Sequence, residues 1–395
     1  MLTQNVIQMK DNVFFNSYVV LIFSSLICLT GCDNHYSTNV IDLDSVNELE
    51  LNNDNSDIKV MPIKCEYPMG PIYRAVGYSD YTFLFSRSGS IIYCLKEDSV
   101  VSKLDAHGRG HGEYSLINNF GYLEDEKILY INADKKLLKY SVPSMSYLGS
   151  IDFNISTSQM IPLNKDELLA ECSYAEDSEN ESYFRGVAVI SLKTGRVIRK
   201  LYNYDLYESR CFLFGDIAKS DNDIIMSIGG LYNNSIIKWD TKGGEVNELL
   251  SFCYNPKWRA PKQLIKFLSK DYRLFDEEFY KITDYCHGCH YTSFVNSNLV
   301  VWCFPHDNDA TRQIAVIVKG DNIITRSFHI SGTNISVSPI FVKDGYCFDL
   351  IQGVVENTIT DIDSLSSLGN EIYKAMKSQP FNNPIMYCFT VDKGI

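Results

Sequence analysis

From about residue 70 to the C-terminus, short apolar runs alternate with polar turns. The runs are rich in Ile, Val, Tyr, Phe and Leu, the residues that suit strands. One unit recurs. A polar turn leads into a strand at EDEKILYI (124–131), LNKDELLAEC (163–172), KSDNDIIMSI (219–228), VNSNLVVWC (295–303) and VKDGYCFDL (342–350). A strand, a tight turn and a return strand then follow, as in VAVISLKTGRVIRKLY (187–202), SIIKWDTKGGEVNELLSF (235–252) and IAVIVKGDNIITRSF (314–328). Thr194-Gly195, Gly243-Gly244 and Gly320-Asp321 supply the hairpin turns.

With Lys127, Glu167, Asp223, Asn298 and Gly345 as equivalent points, the intervals are 40, 56, 75 and 47 residues. The longest contains 256–285, where Leu264, Ile265, Phe267 and Leu268, then Leu274, Phe275 and Phe279, predict amphipathic helix. Without that insert the spacing approaches the roughly 40–50 residues of a four-stranded propeller blade. Five points plus a unit at 72–104 predict an all-β fold. It is a six-bladed β-propeller of four-stranded antiparallel blades, with a short helical insert near 256–285. Asp392-Lys393-Gly394 reads as a turn with no return strand after it, so VMPIKCE (60–66) is expected to supply the last outer strand.

The first residues read differently. Lys10 precedes an apolar run, VVLIFSSLICL (19–29), of the size of a signal-peptide core and shorter than the roughly 20 residues of a membrane span. Leu29-Thr30-Gly31-Cys32 follows and resembles a bacterial lipobox. It implies cleavage before Cys32, with lipid on the Cys32 sulfur and amino group. The expected organisation is a signal peptide over 1–31, a flexible Asn/Asp/Ser/Glu-rich tether over 32–60 and the propeller over 61–395. The expected location is extracytoplasmic, as a membrane-anchored lipoprotein of the outer membrane.

GRGHGEY (108–114) resembles a stretch found after the first blade in the six-bladed β-propeller lipoproteins of Bacteroidetes, with His111 where that family has proline. The final NPIMYCFTVDKGI is similar to that family's closing strand. The resemblance implies fold and location. It brings no activity with it.

Charge and candidate chemistry narrow the picture. A net charge of −13 argues against a nucleic-acid partner, which needs clustered Lys and Arg. Of twelve cysteines, Cys28 leaves with the leader and Cys32 carries lipid. Cys94, Cys253, Cys303, Cys347 and Cys388 lie inside apolar runs and read as small buried hydrophobes. Cys286-His287-Gly288-Cys289-His290 has the form that attaches haem c; alternatively Cys286, Cys289 and His290 ligate zinc, the two cysteines form a local disulfide, or the stretch is a loop or strand start with chance Cys and His. No helical domain surrounds the motif and no second Cys pair completes a zinc site, so neither cofactor is assigned and no metal is expected.

HGRGHGEY (107–114) can form a backbone anion nest, with Arg109 to pair a carboxylate or phosphate. Arg109, His111, Glu113 and Tyr114 are therefore a candidate ligand-binding loop, and His107 with His111 a candidate metal pair. The same residues equally read as an inter-blade connection in which Glu113 accepts backbone N–H groups and Tyr114 packs on the next blade. Gly-x-Ser-x-Gly and His-Glu-x-x-His motifs are absent. The function expected is a binding or scaffold module for a glycan, peptide or envelope partner, anchored to the membrane by lipid. The alternative is a metal-dependent hydrolase or lyase at the channel of the propeller.

Overall fold

The computed structural model describes residues 39–391, apart from 43–44, 52–56, 88, 178–181, 204–213, 221–222, 230–233, 243, 255–286, 296–297, 305–312, 321, 336, 354 and 360–361. Three short strands come first: β1 (Asn39–Ile41), β2 (Asn47–Glu50) and β3 (Lys59–Pro62). Blade 1 follows, with β4 (Arg74–Gly77), β5 (Thr82–Ser86), β6 (Ile91–Lys96) and β7 (Ser99–Leu104). Blade 2 is β8 (Ile117–Leu123), β9 (Ile128–Ala133), β10 (Lys136–Ser141) and β11 (Tyr147–Asp152). Blade 3 is β12 (Ile155–Pro162), β13 (Glu167–Asp177), β14 (Ser182–Ser191) and β15 (Val197–Asn203).

Blade 4 is β16 (Phe214–Ser220), β17 (Asp223–Gly229), β18 (Asn234–Asp240) and β19 (Val246–Tyr254). Blade 5 is β20 (His287–Val295), β21 (Asn298–Phe304), β22 (Ile314–Lys319) and β23 (Asn322–His329). Blade 6 contains β24 (Phe341–Lys343) and β25 (Tyr346–Ile351), then two helices, α1 (Val355–Thr358) and α2 (Ser367–Ser378), and finally β26 (Ile385–Phe389). Within each blade, neighbouring strands are antiparallel. The first strand of each blade is the innermost, and consecutive first strands touch around the ring. This is a six-bladed β-propeller of four-stranded blades.

Each recurrent point of the sequence falls at or beside the start of a second strand: Lys127, Glu167, Asp223, Asn298 and Gly345 against β9, β13, β17, β21 and β25. The hairpin glycines also behave as expected. Gly195, Gly244 and Gly320 have φ of 68°, 72° and 58°, in turns joining third to fourth strands. The helical insert expected at 256–285 lies outside the described residues, between β19 and β20.

The apolar runs have a specific cause. Among the described residues there are six hydrophobic clusters, and each lies between two adjacent blades. Alternate residues of one strand serve opposite neighbours. On β6, Ile92 and Cys94 pack toward blade 2, while Tyr93 and Leu95 pack toward blade 6. On β13, Leu168, Ala170 and Cys172 face blade 2 and Leu169 faces blade 4. A strand buried on both faces is apolar at every position, which is why the runs do not alternate with polar residues. The five run-embedded cysteines, with Cys65 and Cys172, are buried. Burial pushes the Cys94 thiol up to about 12.

The ring closes through the N-terminal side. β3 pairs antiparallel with β26, Met61 opposite Met386 and Val60 opposite Tyr387, and completes blade 6. The expected closing segment, 60–66, is therefore right in kind and begins one residue earlier. Ile63, Phe341 and Met386 then seal the junction of blades 6 and 1.

Two differences stand out. Within the stretch read as a tether, β1 adds a fifth strand to β19, and β2 runs parallel to β23. Edge pairing uses backbone hydrogen bonds, so it leaves little apolar periodicity to read; Val46 and Leu51 are the buried anchors. Helix α2 also went unread. Ser366 caps it by accepting the Gly369 N–H at 3.1 Å, and Leu368, Ile372, Ala375 and Met376 pack it onto the cluster between blades 5 and 6.

A chain beginning at Ile58 retains the closing strand and one beginning at Ile63 lacks it. Thermal unfolding of the pair should show a clearly lower midpoint and dye-accessible apolar surface for the shorter chain. Equal midpoints would remove β3 from closure.

Candidate functional site

The Gly-rich stretch joins β7 to β8, and its groups are bonded to each other. Tyr114 is fully buried. Its hydroxyl accepts the Ala106 N–H at 3.3 Å and lies 3.0 Å from the Ser90 carbonyl and 3.3 Å from that of Leu104. Burial raises its pKa to about 12. The Glu113 carboxylate accepts the Gly110 N–H at 2.7 Å, so the loop supplies its own anion to the nest. Gly112, at φ 79°, gives its carbonyl to the Tyr140 hydroxyl at 2.6 Å. A Cβ there would stand 2.6 Å from the Tyr147 ring.

His111 is exposed and lies edge-on to Tyr147 at 4.9 Å, while His107 places a ring nitrogen 2.6 Å from the Gly89 carbonyl. Arg109 is exposed. The connection reading accounts for Glu113 and Tyr114. The two histidines are turned to separate partners.

Cys32 and Cys286 lie outside the described residues. The backbone of His287–His290 opens β20, the innermost strand of blade 5, with His287 opposite Phe304 and Cys289 opposite Cys303. The backbone of the second half of the Cys-x-x-Cys-His motif is thus sheet. Among the described residues no group of three His, Cys, Asp or Glu is placed to hold a metal ion.

Around the axis, polar side chains bond across blades. Arg74 of β4 donates to the Asn119 side-chain oxygen on β8, and the Asn119 amide donates to the Ser158 carbonyl on β12. The Ser158 hydroxyl then donates to the buried Glu171 carboxylate at 2.6 Å. Gln159 accepts the Ile217 N–H at 2.8 Å, and Thr292 donates to Ser227 at 2.6 Å, linking blades 3, 4 and 5. In blade 6, Asp349 is buried and accepts from the Ser338 N–H, the Leu350 N–H and the Tyr387 hydroxyl, each at 2.7 Å. Burial dominates over those bonds and pushes its carboxyl up to about 7. A lone acid inside the apolar run GYCFDLI was the available signal for it.

A surface cleft of about 370 Å³ opens between blades 3 and 4. It lies at the end of the sheets where first strands turn into second and third into fourth. Its walls include Glu167, Ile198, Arg199, Lys219 and Trp239. These residues come from β13, β15, β16 and β18, so no local motif announces them.

A family model described as a 6-bladed beta-propeller matches residues 30–324. The chain belongs to that family. The match ends within β23, the last strand of blade 5, and β24, β25 and β26 of blade 6 follow beyond it. No curated protein matches the chain. Among solved structures, the propeller is similar to a Bacteroides fragilis NCTC 9343 protein provisionally designated an exported protein. Identity is 13%, coverage is 88% of this chain and 100% of that one, and the TM-score is 0.64. The WD40 domain of Neurospora crassa Pan2 aligns over 82% of this chain and 76% of its own, at 9% identity and a TM-score of 0.39. Likeness at such identity speaks for the fold alone, and the second score carries no argument.

Two substitutions probe these environments. Tyr114→Phe orphans the Ala106 N–H and should cost about 1–3 kcal/mol in urea unfolding. Asp349 holds its proton more tightly when folded than when unfolded. Its contribution to stability is therefore complete below about pH 4 and is lost as pH rises toward about 7, by roughly 1.4 kcal/mol per pH unit. Urea midpoints at pH 5 and pH 8 should differ more in the native chain than in Asp349→Asn. An unchanged difference would place the carboxyl outside that window.

Proposed function

We propose that this propeller is an extracytoplasmic binding or scaffold module, anchored to the outer membrane by lipid at Cys32, which engages a glycan, peptide or envelope partner. The observation that carries the reading is how polar groups are used. Those of the inner strands are tied to each other across the blades, from Arg74 through Asn119 and Ser158 to Glu171. Cationic groups outside any salt bridge among the described residues instead face solvent at a blade junction, where Arg199 and Lys219 line a cleft. An inner ring that closes the fold and an open junction suit recognition better than turnover.

The apolar run and lipobox support the anchor, and the fold shared with a protein provisionally designated exported supports the extracytoplasmic location. Among the described residues no helix is long and apolar enough to cross a membrane. Several acyl chains make the lipid anchor stable, since each buried CH₂ adds about 0.8 kcal/mol.

Cys32→Ser should move the protein from the membrane fraction to the soluble one, and intact-mass analysis of the native protein should show an acylated Cys32 as first residue. An unmodified, uncut leader would defeat the anchor. A soluble chain from Asp33 onward should bind envelope glycans or peptides without turnover. Steady product release would favour the hydrolase or lyase alternative.

A further inference from the structure

A residue of the wall of the cleft between blades 3 and 4 carries a buried, unspent donor. Trp239 is 3% exposed, and its indole N–H has no acceptor among the described residues. A buried donor without a partner costs about 1–3 kcal/mol, so its presence at the wall of a cleft needs a cause. Trp302 also lacks an acceptor, but it lies wholly inside the core between blades 5 and 6.

Cations surround the cleft. The Arg199 guanidinium lies across the Trp239 ring, 5.9 Å from its centroid, and Lys219 approaches from β16. Both are exposed, and neither joins a salt bridge among the described residues. The acid on the opposite wall is engaged within its own turn. Glu167 accepts from the Asn164 amide at 3.1 Å, and the Asn164 oxygen accepts the Asp166 and Glu167 N–H groups at 2.8 and 3.0 Å. Leu163, Val189 and Ile198 supply apolar wall beside these polar groups.

We infer that this cleft binds the carboxylate of an acidic monosaccharide, such as a uronic acid residue of a glycan. The carboxylate pairs with Lys219 and draws Arg199 aside, and an oxygen of the ligand then accepts the Trp239 N–H. Asn164 and Glu167 bond ring hydroxyls, while the C–H face of the sugar meets Ile198 and Leu163. A volume of about 370 Å³ falls in the size range of small-molecule sites. Arg199 acts as a movable cover, because it is exposed and held chiefly by the aromatic ring beneath it. The assignment rests on the binding-module reading and narrows it to a ligand class.

The test follows the indole protons of the ¹⁵N-labelled lipid-free chain during titration with sodium galacturonate, galactose and sodium acetate. The chain has three tryptophans, and Trp239→Phe identifies the signal. Galacturonate should move that signal downfield in a saturable way, and galactose and acetate should bind far more weakly. Arg199→Gln and Lys219→Gln, both at exposed positions, should each weaken galacturonate by roughly tenfold at unchanged thermal midpoint. Acetate binding as tightly as galacturonate would overturn the saccharide assignment. Absence of a saturable shift, or full affinity in both Gln variants, would overturn the site. Product release from a glycan would defeat the binding-module reading alone, because the indole shift does not depend on turnover.

Discussion

Every blade of this protein is apolar on both faces, and that forces a ring. A sheet covered on one side only would leave residues such as Tyr93 and Leu95, or Leu169 and Val189, against water. Each large side chain so exposed would forfeit about 1.5–3 kcal/mol. Stacking in a row would leave two terminal faces uncovered, whereas a closed ring leaves none. The junction of blades 6 and 1 is therefore as necessary as the other five. It has the same construction, with Phe341 and Met386 meeting Ala75, Leu84 and Tyr93.

Closure also organises the polar groups. Inner strands converge on the axis, where backbone and side-chain groups of different blades come within bonding distance and would otherwise be orphaned. Arg74, Asn119, Ser158 and Glu171 satisfy each other there, and Asp349 is met by two backbone N–H groups and a tyrosine. Outer strands diverge, so junctions open toward the periphery. The cleft at Trp239 opens at the end of the sheets, between blades 3 and 4. The edges of blades 4, 5 and 6 are covered in turn by β1, β2 and β3, which run along the rim before the chain enters blade 1.

Much of this was legible along the chain, and the reasons are local. The start of a second strand requires a polar turn followed by a doubly buried run, and that signature stands at Lys127, Glu167, Asp223, Asn298 and Gly345. Hairpins need positive φ, and glycines mark them. What went unread has reasons too. β1 and β2 are edge strands whose partners lie some two hundred or more residues away, so their pairing leaves no local pattern. Helix α2 shows a capping Ser366 and apolar residues at helical spacing, but it interrupts a blade between second and third strands, where the repeat predicts a short turn. In the Gly-rich stretch both readings were open. Only the placement of Glu113 on the Gly110 N–H shows that the nest is filled from within.

By itself, then, the amino-acid order determined the number of blades, the turns within them and the apolar character of their faces, because each depends on residues close together in the chain. Tertiary structure alone decided which strand closes the ring and which axial groups bond to each other. It also decided that Arg199, Lys219 and Trp239 share one cleft. Those outcomes depend on distances between separate blades, and such distances exist only once the apolar faces have packed and the ring has shut.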